Sequence, residues 1–129
     1  MRPTAWIVTA VLVSSVACSS VNSPQGGGGG GGGGPVGQVR VGNVYFRSAH
    51  NGSENTALDT IAAGGSVTWI WDAQGSHSIQ STGTPGIFRN SVVMDARNST
   101  YTVTLKNPGT YTYQCAVHGA AMTGVIVVQ

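Results

Sequence analysis

An all-β domain is what this sequence predicts, and three features carry the prediction. Aliphatic, aromatic and threonine residues fall in short alternating runs, Gly, Asn and Pro separate those runs, and nothing resembles a long amphipathic helix. The 129 residues are enough for one domain with a real core and not for two. Only 8% of residues are charged and the formal balance is +2. A charge this small points to no nucleic-acid or acidic partner, and no basic stripe is visible.

Residues 1–18 read as an export signal. Arg2 is a minimal positive start, Trp6 to Val13 is an apolar stretch of signal-peptide length, and Ser14-Ser15-Val16-Ala17 supplies small residues before a cleavage point. The stretch is too short to count as a membrane span. Ser15-Val16-Ala17-Cys18 resembles a bacterial lipobox, in which Cys18 becomes the lipidated first residue of the mature chain. Ser15 stands where that pattern prefers an aliphatic residue, so a soluble exported protein stays open beside the lipoprotein. Both readings place the domain outside the cytosol, in the periplasm or at the cell surface.

Residues 19–35 read as a flexible tether, because Gly26 to Gly34 is an unbroken run of nine glycines that buries no apolar surface. A Gly-rich coil of this length spans on the order of 20–25 Å. With Cys18 lipidated it becomes a leash holding a domain near a membrane; a plain disordered N-terminus is the alternative.

Residues 36–129 are the expected folded domain, a size suited to one sandwich. Gln38 to Val41 alternates, and Val44-Tyr45-Phe46 follows a Gly42-Asn43 interruption expected to be a bulge. Ser48 to Asn55 is turn-rich. Leu58 to Ala62 leads through Gly64-Gly65 into the strand Ser66 to Trp71, where Val67, Trp69 and Trp71 share one face. A short strand is expected over His77 to Gln80, then polar loop over Ser81 to Gly86 and a mixed stretch from Ile87 to Met94. Tyr101 to Leu105 alternates cleanly. Asn107-Pro108-Gly109 has Pro and Gly where a β-turn wants them and reverses the chain into Tyr111-Thr112-Tyr113, which delivers Cys115. Val125 to Val128 is apolar throughout, as for a strand with little exposed face. About seven strands result, which fits a Greek-key β-sandwich.

The chemistry is concentrated between Tyr113 and Gly124. Cys115, His118 and Met122 follow one another as Cys-x2-His-x3-Met, on what reads as a loop from Ala116 to Gly124. With a second imidazole from His77, on a different strand, they form the donor set of a blue-copper site: two His and one Cys in a trigonal array with a long axial Met. Each residue has a plainer alternative. Cys115 could be an inert buried thiol, His118 a structural imidazole, Met122 a core filler and His77 a surface residue. Their joint occurrence at ligand spacing favours one mononuclear copper ion. A Cys18–Cys115 disulfide is the plainer reading of the two cysteines, but the glycine run between them favours two separate chemistries. Zinc fits less well, since it prefers Cys, His and carboxylate donors and sits below copper in the affinity order. His50 has no partner at ligand spacing and reads as structural.

Gly64-Gly65-Ser66-Val67-Thr68-Trp69, His77-Ser78-Ile79, Pro108 to His118 and Met122-Thr123-Gly124-Val125-Ile126-Val127 together resemble the cupredoxin family, most of all its plastocyanin-like and pseudoazurin-like small blue proteins. The resemblance covers essentially all of residues 36–129. It implies a Greek-key sandwich with type 1 copper near one end, and one-electron transfer through a solvent-edge imidazole, which by motif position is His118. Two departures stand out. Many relatives carry Asn two residues after the strand Trp, where this chain has Trp71, and Asn directly after the first ligand His, where it has Ser78. In the family those Asn side chains hydrogen-bond the Cys loop and hold the ligands in place. The gap between His118 and Met122 also varies among relatives, which puts Met122 in a different position from the other three.

The first functional expectation is an exported, membrane-tethered electron shuttle, monomeric, cycling copper between its two oxidation states for larger redox proteins. No acid–base pair, second metal site or substrate-pocket signature argues for an enzyme. A copper storage, delivery or resistance module using the same four residues is the alternative, disfavoured by a Met count of three. A metal-free sandwich lipoprotein serving adhesion or assembly is the third class.

Overall fold

The computed structural model describes residues 34–129 apart from residue 85. The expected export signal, Cys18 and nearly all of the tether lie outside the described residues. What is described is all-β: eight strands in two four-stranded sheets, and no helix. In chain order they are β1 (Gln38–Gly42), β2 (Tyr45–Ser48), β3 (Ala57–Ile61), β4 (Gly65–Trp71), β5 (Gln80–Ser81), β6 (Thr100–Leu105), β7 (Gly109–Cys115) and β8 (Gly119–Val128). One sheet runs β2-β1-β4-β6 and the other β3-β8-β7-β5. The pairs β1/β4 and β3/β8 are parallel and the rest antiparallel, so the chain crosses repeatedly from one sheet to the other.

Period-2 patterning decides which side chains enter the space between the sheets. Val67, Trp69 and Trp71 on β4 are fully buried, as their shared face predicts. Val39, Val41, Phe46, Tyr113 and Ile126 meet them from the other strands. Trp69 lies edge-on to Tyr113 with centroids 5.2 Å apart, a favoured aromatic arrangement. The outward threonines pair across strands instead, Thr68 with Thr102 at 2.9 Å and Ser66 with Thr104 at 2.8 Å. One carboxyl interrupts the core. Asp59 is buried with Oδ1 accepting from Ser48 Oγ at 3.0 Å and Oδ2 unpartnered, and burial pushes its pKa above the usual carboxylate value.

Four expectations need adjusting. The strand count is eight rather than about seven. Gly42-Asn43 is not a bulge: Val41 pairs with Phe46 and Gly42 with Tyr45, which leaves Asn43 and Val44 as a two-residue hairpin turn, with Val44 at φ 60°. His77 lies outside the ladder, because the short strand of this region is Gln80–Ser81 and His77 makes only an isolated bridge to Met94. The last strand begins at Gly119 rather than Val125, which shortens the Cys loop to Ala116–His118 and puts Met122 on a strand. Val125 and Val127 in that strand are partly exposed, alternating with buried Ile126 and Val128.

The register fixes two poles. β4 ends at Trp71 beside Val41 of β1, and β7 ends at Cys115, so these termini share one pole. The chain enters at the other one. Gly34 N–H donates to Ala49 O at 3.1 Å, just beyond the Ser48 end of β2, where the C-terminal Gln129 also meets Ala63.

Candidate metal centre

Cys115 reaches the core because it continues the inward face of β7: Tyr111, Tyr113 and Cys115 are buried, with Thr112 and Gln114 between them half-exposed. It is a free thiol with no exposed surface. The β7–β8 ladder runs in register up to Gln114↔Thr123, then slips so that Cys115 pairs with Gly119. Gly119 takes φ 56°, a left-handed value that glycine adopts without penalty, and this closes the tight Ala116–His118 turn. The turn brings His118 back over the thiol. Its Nδ1 lies 3.4 Å from Cys115 Sγ, and its ring is half-buried at the pole's surface.

His77 arrives from across the sandwich, 38 residues earlier. It is buried, with Nδ1 3.9 Å from the same sulfur, and its ring centroid is 4.9 Å from that of His118. One ligand atom from each of His77, Cys115 and His118 lies within 4.8 Å of the others. Burial, and secondarily the charge of His118, lowers the His77 pKa, which keeps its ring neutral with a lone pair free. Met122 is fully buried on β8 and belongs to the same core cluster as Cys115.

The surroundings hold these donors. Ala116 N–H donates to Ser78 Oγ at 3.1 Å, so the hydroxyl that replaces the family's Asn does tie the Cys loop to the His77 segment. Gly75, at φ 135°, sits against the His77 ring, where an added Cβ would lie 3.1 Å from Nε2. His77 N–H donates to Met94 O at 3.0 Å, and Met94 N–H returns a bond to His77 O at 2.8 Å. The partnership with Met94 was not visible in the sequence, where Ile87 to Met94 reads only as mixed. His50 stays apart as expected, exposed, with Nδ1 3.3 Å from Gly34 O.

Two imidazole nitrogens and a thiol facing one point, with a buried thioether in the same core and no carboxylate in the cluster, are a soft nitrogen–sulfur donor set. That chemistry suits copper and not calcium or magnesium. His77 turns Nδ1 toward the thiol, while its buried Nε2 lies beside Gly75 without a hydrogen-bond partner. The residues present therefore fit one copper ion.

Comparison with known proteins agrees. The model of the family described as copper binding proteins of the plastocyanin/azurin family matches residues 54–129. A plastocyanin from Prochlorothrix hollandica is 34% identical over 76 residues, covering 54% of this chain and 58% of that protein. The chain thus matches little more than half the length of that relative. Among solved structures, an oxidised amicyanin variant shares 25% identity and superposes with TM-score 0.57, covering 73% of this chain and 82% of the other. A purple cupredoxin from Nitrosopumilus maritimus, at 24% identity and TM-score 0.56 over 71% of this chain and 98% of its own, shares the fold. The chain belongs to the plastocyanin/azurin family of copper binding proteins, and its cofactor is copper.

Proposed function

We propose that the protein is a type 1 copper carrier of single electrons, whose copper would be held by His77, Cys115, His118 and Met122. The observation that carries this reading is the convergence of three donors within 4.8 Å at one pole of a rigid sandwich. Copper bound there supplies one-electron chemistry. The chain supplies a site whose ligands come from different parts of the sandwich and are fixed before the metal arrives, so that little has to move when the charge changes. Cys115 and His77 are shut away from water, and His118 alone of the three reaches the surface. Val117, 50% exposed, and the exposed Ala120 and Ala121 flank it in the chain. This apolar rim suits brief docking of a redox protein over His118, through which the electron passes.

The proposal extends to an exported, monomeric protein lipidated at Cys18 and held by the glycine leash. The described chain begins at the pole opposite the cluster, so a leash attached there would leave His118 uncovered.

The test is repeated redox cycling of the copper-loaded full chain in the presence of a Cu(I) chelator. A carrier bleaches and recovers its colour through many cycles and keeps its copper. Loss of the metal to the chelator on the first reduction would favour storage or delivery instead.

A further inference from the structure

We propose that Trp71 is a positioning residue for the copper site: its indole N–H, acting through the Met94 carbonyl, sets where His77 stands. The inference rests on His77 being a ligand, but its physical content is a property of the metal-free chain.

His77 is the donor that the sheets hold least. His118 also lies outside the strands, but in a three-residue turn closed directly by β7 and β8, whereas His77 stands six residues past the end of β4 and three before β5. It belongs to no strand, and its backbone is paired only with Met94, which belongs to no strand either. Two weakly held residues bonded to each other fix nothing, so a third group must anchor the pair. Further along, the neighbouring segment is pinned from both sides. Ser91 N–H donates to Ile79 O at 2.9 Å, and Ile79 N–H donates to Ser91 Oγ at 2.8 Å. Those bonds act two residues past His77, and one residue past it the Ser78 hydroxyl accepts Ala116 N–H at 3.1 Å. At His77 itself, among the described residues, the one side-chain bond to Met94 comes from Trp71, whose Nε1–H donates to Met94 O at 3.1 Å. A single carbonyl oxygen therefore accepts His77 N–H and the indole N–H together.

Trp71 is a suitable anchor because it is itself immobile. It is fully buried. It also ends β4 in register with Val41, its N–H donates to Ser99 O at 2.9 Å, and its carbonyl accepts from Asn98 N–H at 2.8 Å. The position of the sandwich core is thereby passed to a ligand that lies outside the sheet. A metal site tolerates only about 0.5 Å of ligand displacement, so a bond of this kind decides between a site that is formed and one that is merely nearby.

Trp69 supplies the control. It sits two residues earlier on the same inward face, is equally buried, and its Nε1 lies against Tyr113 with no bond to His77 or Met94. Removing the indole N–H there removes no anchor of His77.

The experiment compares Trp71→Phe and Trp69→Phe in the full chain. In the metal-free proteins, amide hydrogen exchange at His77 and Met94 is read by NMR; in the copper-loaded ones, copper affinity and the Cu(II) spectrum. Loss of one hydrogen bond predicts exchange about 5- to 10-fold faster at both amides in Trp71→Phe, with weaker copper binding and an altered spectrum. In Trp69→Phe these readouts stay at wild-type values. Equal changes in both variants, or none in Trp71→Phe, would overturn the proposal. Should Trp71→Phe fail to fold, the wild-type chain gives an answer by reciprocity. Binding of Cu(I) must slow exchange of the Trp71 indole proton several-fold more than that of Trp69, and equal slowing refutes the coupling. Should the wild-type chain bind no copper, the functional reading fails, while the exchange comparison in the metal-free chain still decides the role of Trp71.

Discussion

Two arms bring the donors together, and they are built on different principles. β7 and β8 deliver Cys115 and Met122 on a backbone ladder that runs unbroken from Gly109↔Val128 to Gln114↔Thr123. His77 comes on a segment with almost no ladder, held by individual side chains: Ser91 on Ile79, Asn90 Oδ1 accepting from Ser81 N–H at 2.9 Å, Ser78 on Ala116, and Trp71 on Met94. A ladder shares its load over many bonds and survives the loss of any one side chain. A segment held by single side-chain bonds, each worth about 1 kcal/mol, can lose its geometry while the fold stands. Global stability and ligand placement are therefore separable in this molecule, and substitutions in the two arms should affect different observables.

The largest effect is expected in the ladder. The Tyr113 ring lies directly on Gly124, where a side chain has no room. Gly124→Ala should cost roughly 3 kcal/mol of stability by overpacking, read as a lower urea midpoint; an unchanged midpoint would mean the core is looser than described. Next comes the other arm. Ser78→Ala removes the acceptor of Ala116 N–H, and should cost about 1–2 kcal/mol while lowering copper affinity about 10- to 100-fold. A chelator competition checks the second figure, and Ser78→Thr, which keeps the hydroxyl, should stay near wild type.

The pH dependence of the metal-free protein sharpens the contrast further. Burial lowers the His77 pKa in the folded state, so below about pH 6.5 the unfolded chain takes up a proton that the folded one resists. Stability is then lost as pH falls through that window. His77→Gln should flatten the slope in a series of urea midpoints. Asp59 acts with the opposite sign, because its raised pKa makes the folded state the better proton acceptor on acidification; Asp59→Asn should therefore steepen the acid loss. The smallest effect belongs to a sheet surface remote from the donors. Thr68→Ala breaks the bond to Thr102 and should cost under about 1 kcal/mol with no change in the copper spectrum.

The same contrast explains what could be read in advance. Strand β4 and the Tyr-x-Tyr-x-Cys face of β7 were legible because alternation reports burial directly, and the grouping of His77, Cys115 and His118 because those residue types at that spacing are a chemical signature. Gly119 hid the true start of β8: the run of Ala120-Ala121-Met122 has no strand-like alternation, and the tight turn at a left-handed glycine is a backbone event. The bridge from His77 to Met94 was invisible for a stronger reason. It joins two residues outside regular strands through main-chain atoms, which every residue carries alike, so no residue type at either position marks it. The Ser78 tether could be suspected only from a departure in one position of a motif.

Whether Cys115 ligates copper as a thiolate within this donor set is decided by an optical titration of the full chain with Cu(II), beside Cys115→Ser. The expected result is one equivalent of copper, an intense thiolate-to-copper band that bleaches reversibly on reduction, and no such band in the variant. Stoichiometric copper uptake without that band, or the same band in Cys115→Ser, would contradict that ligation.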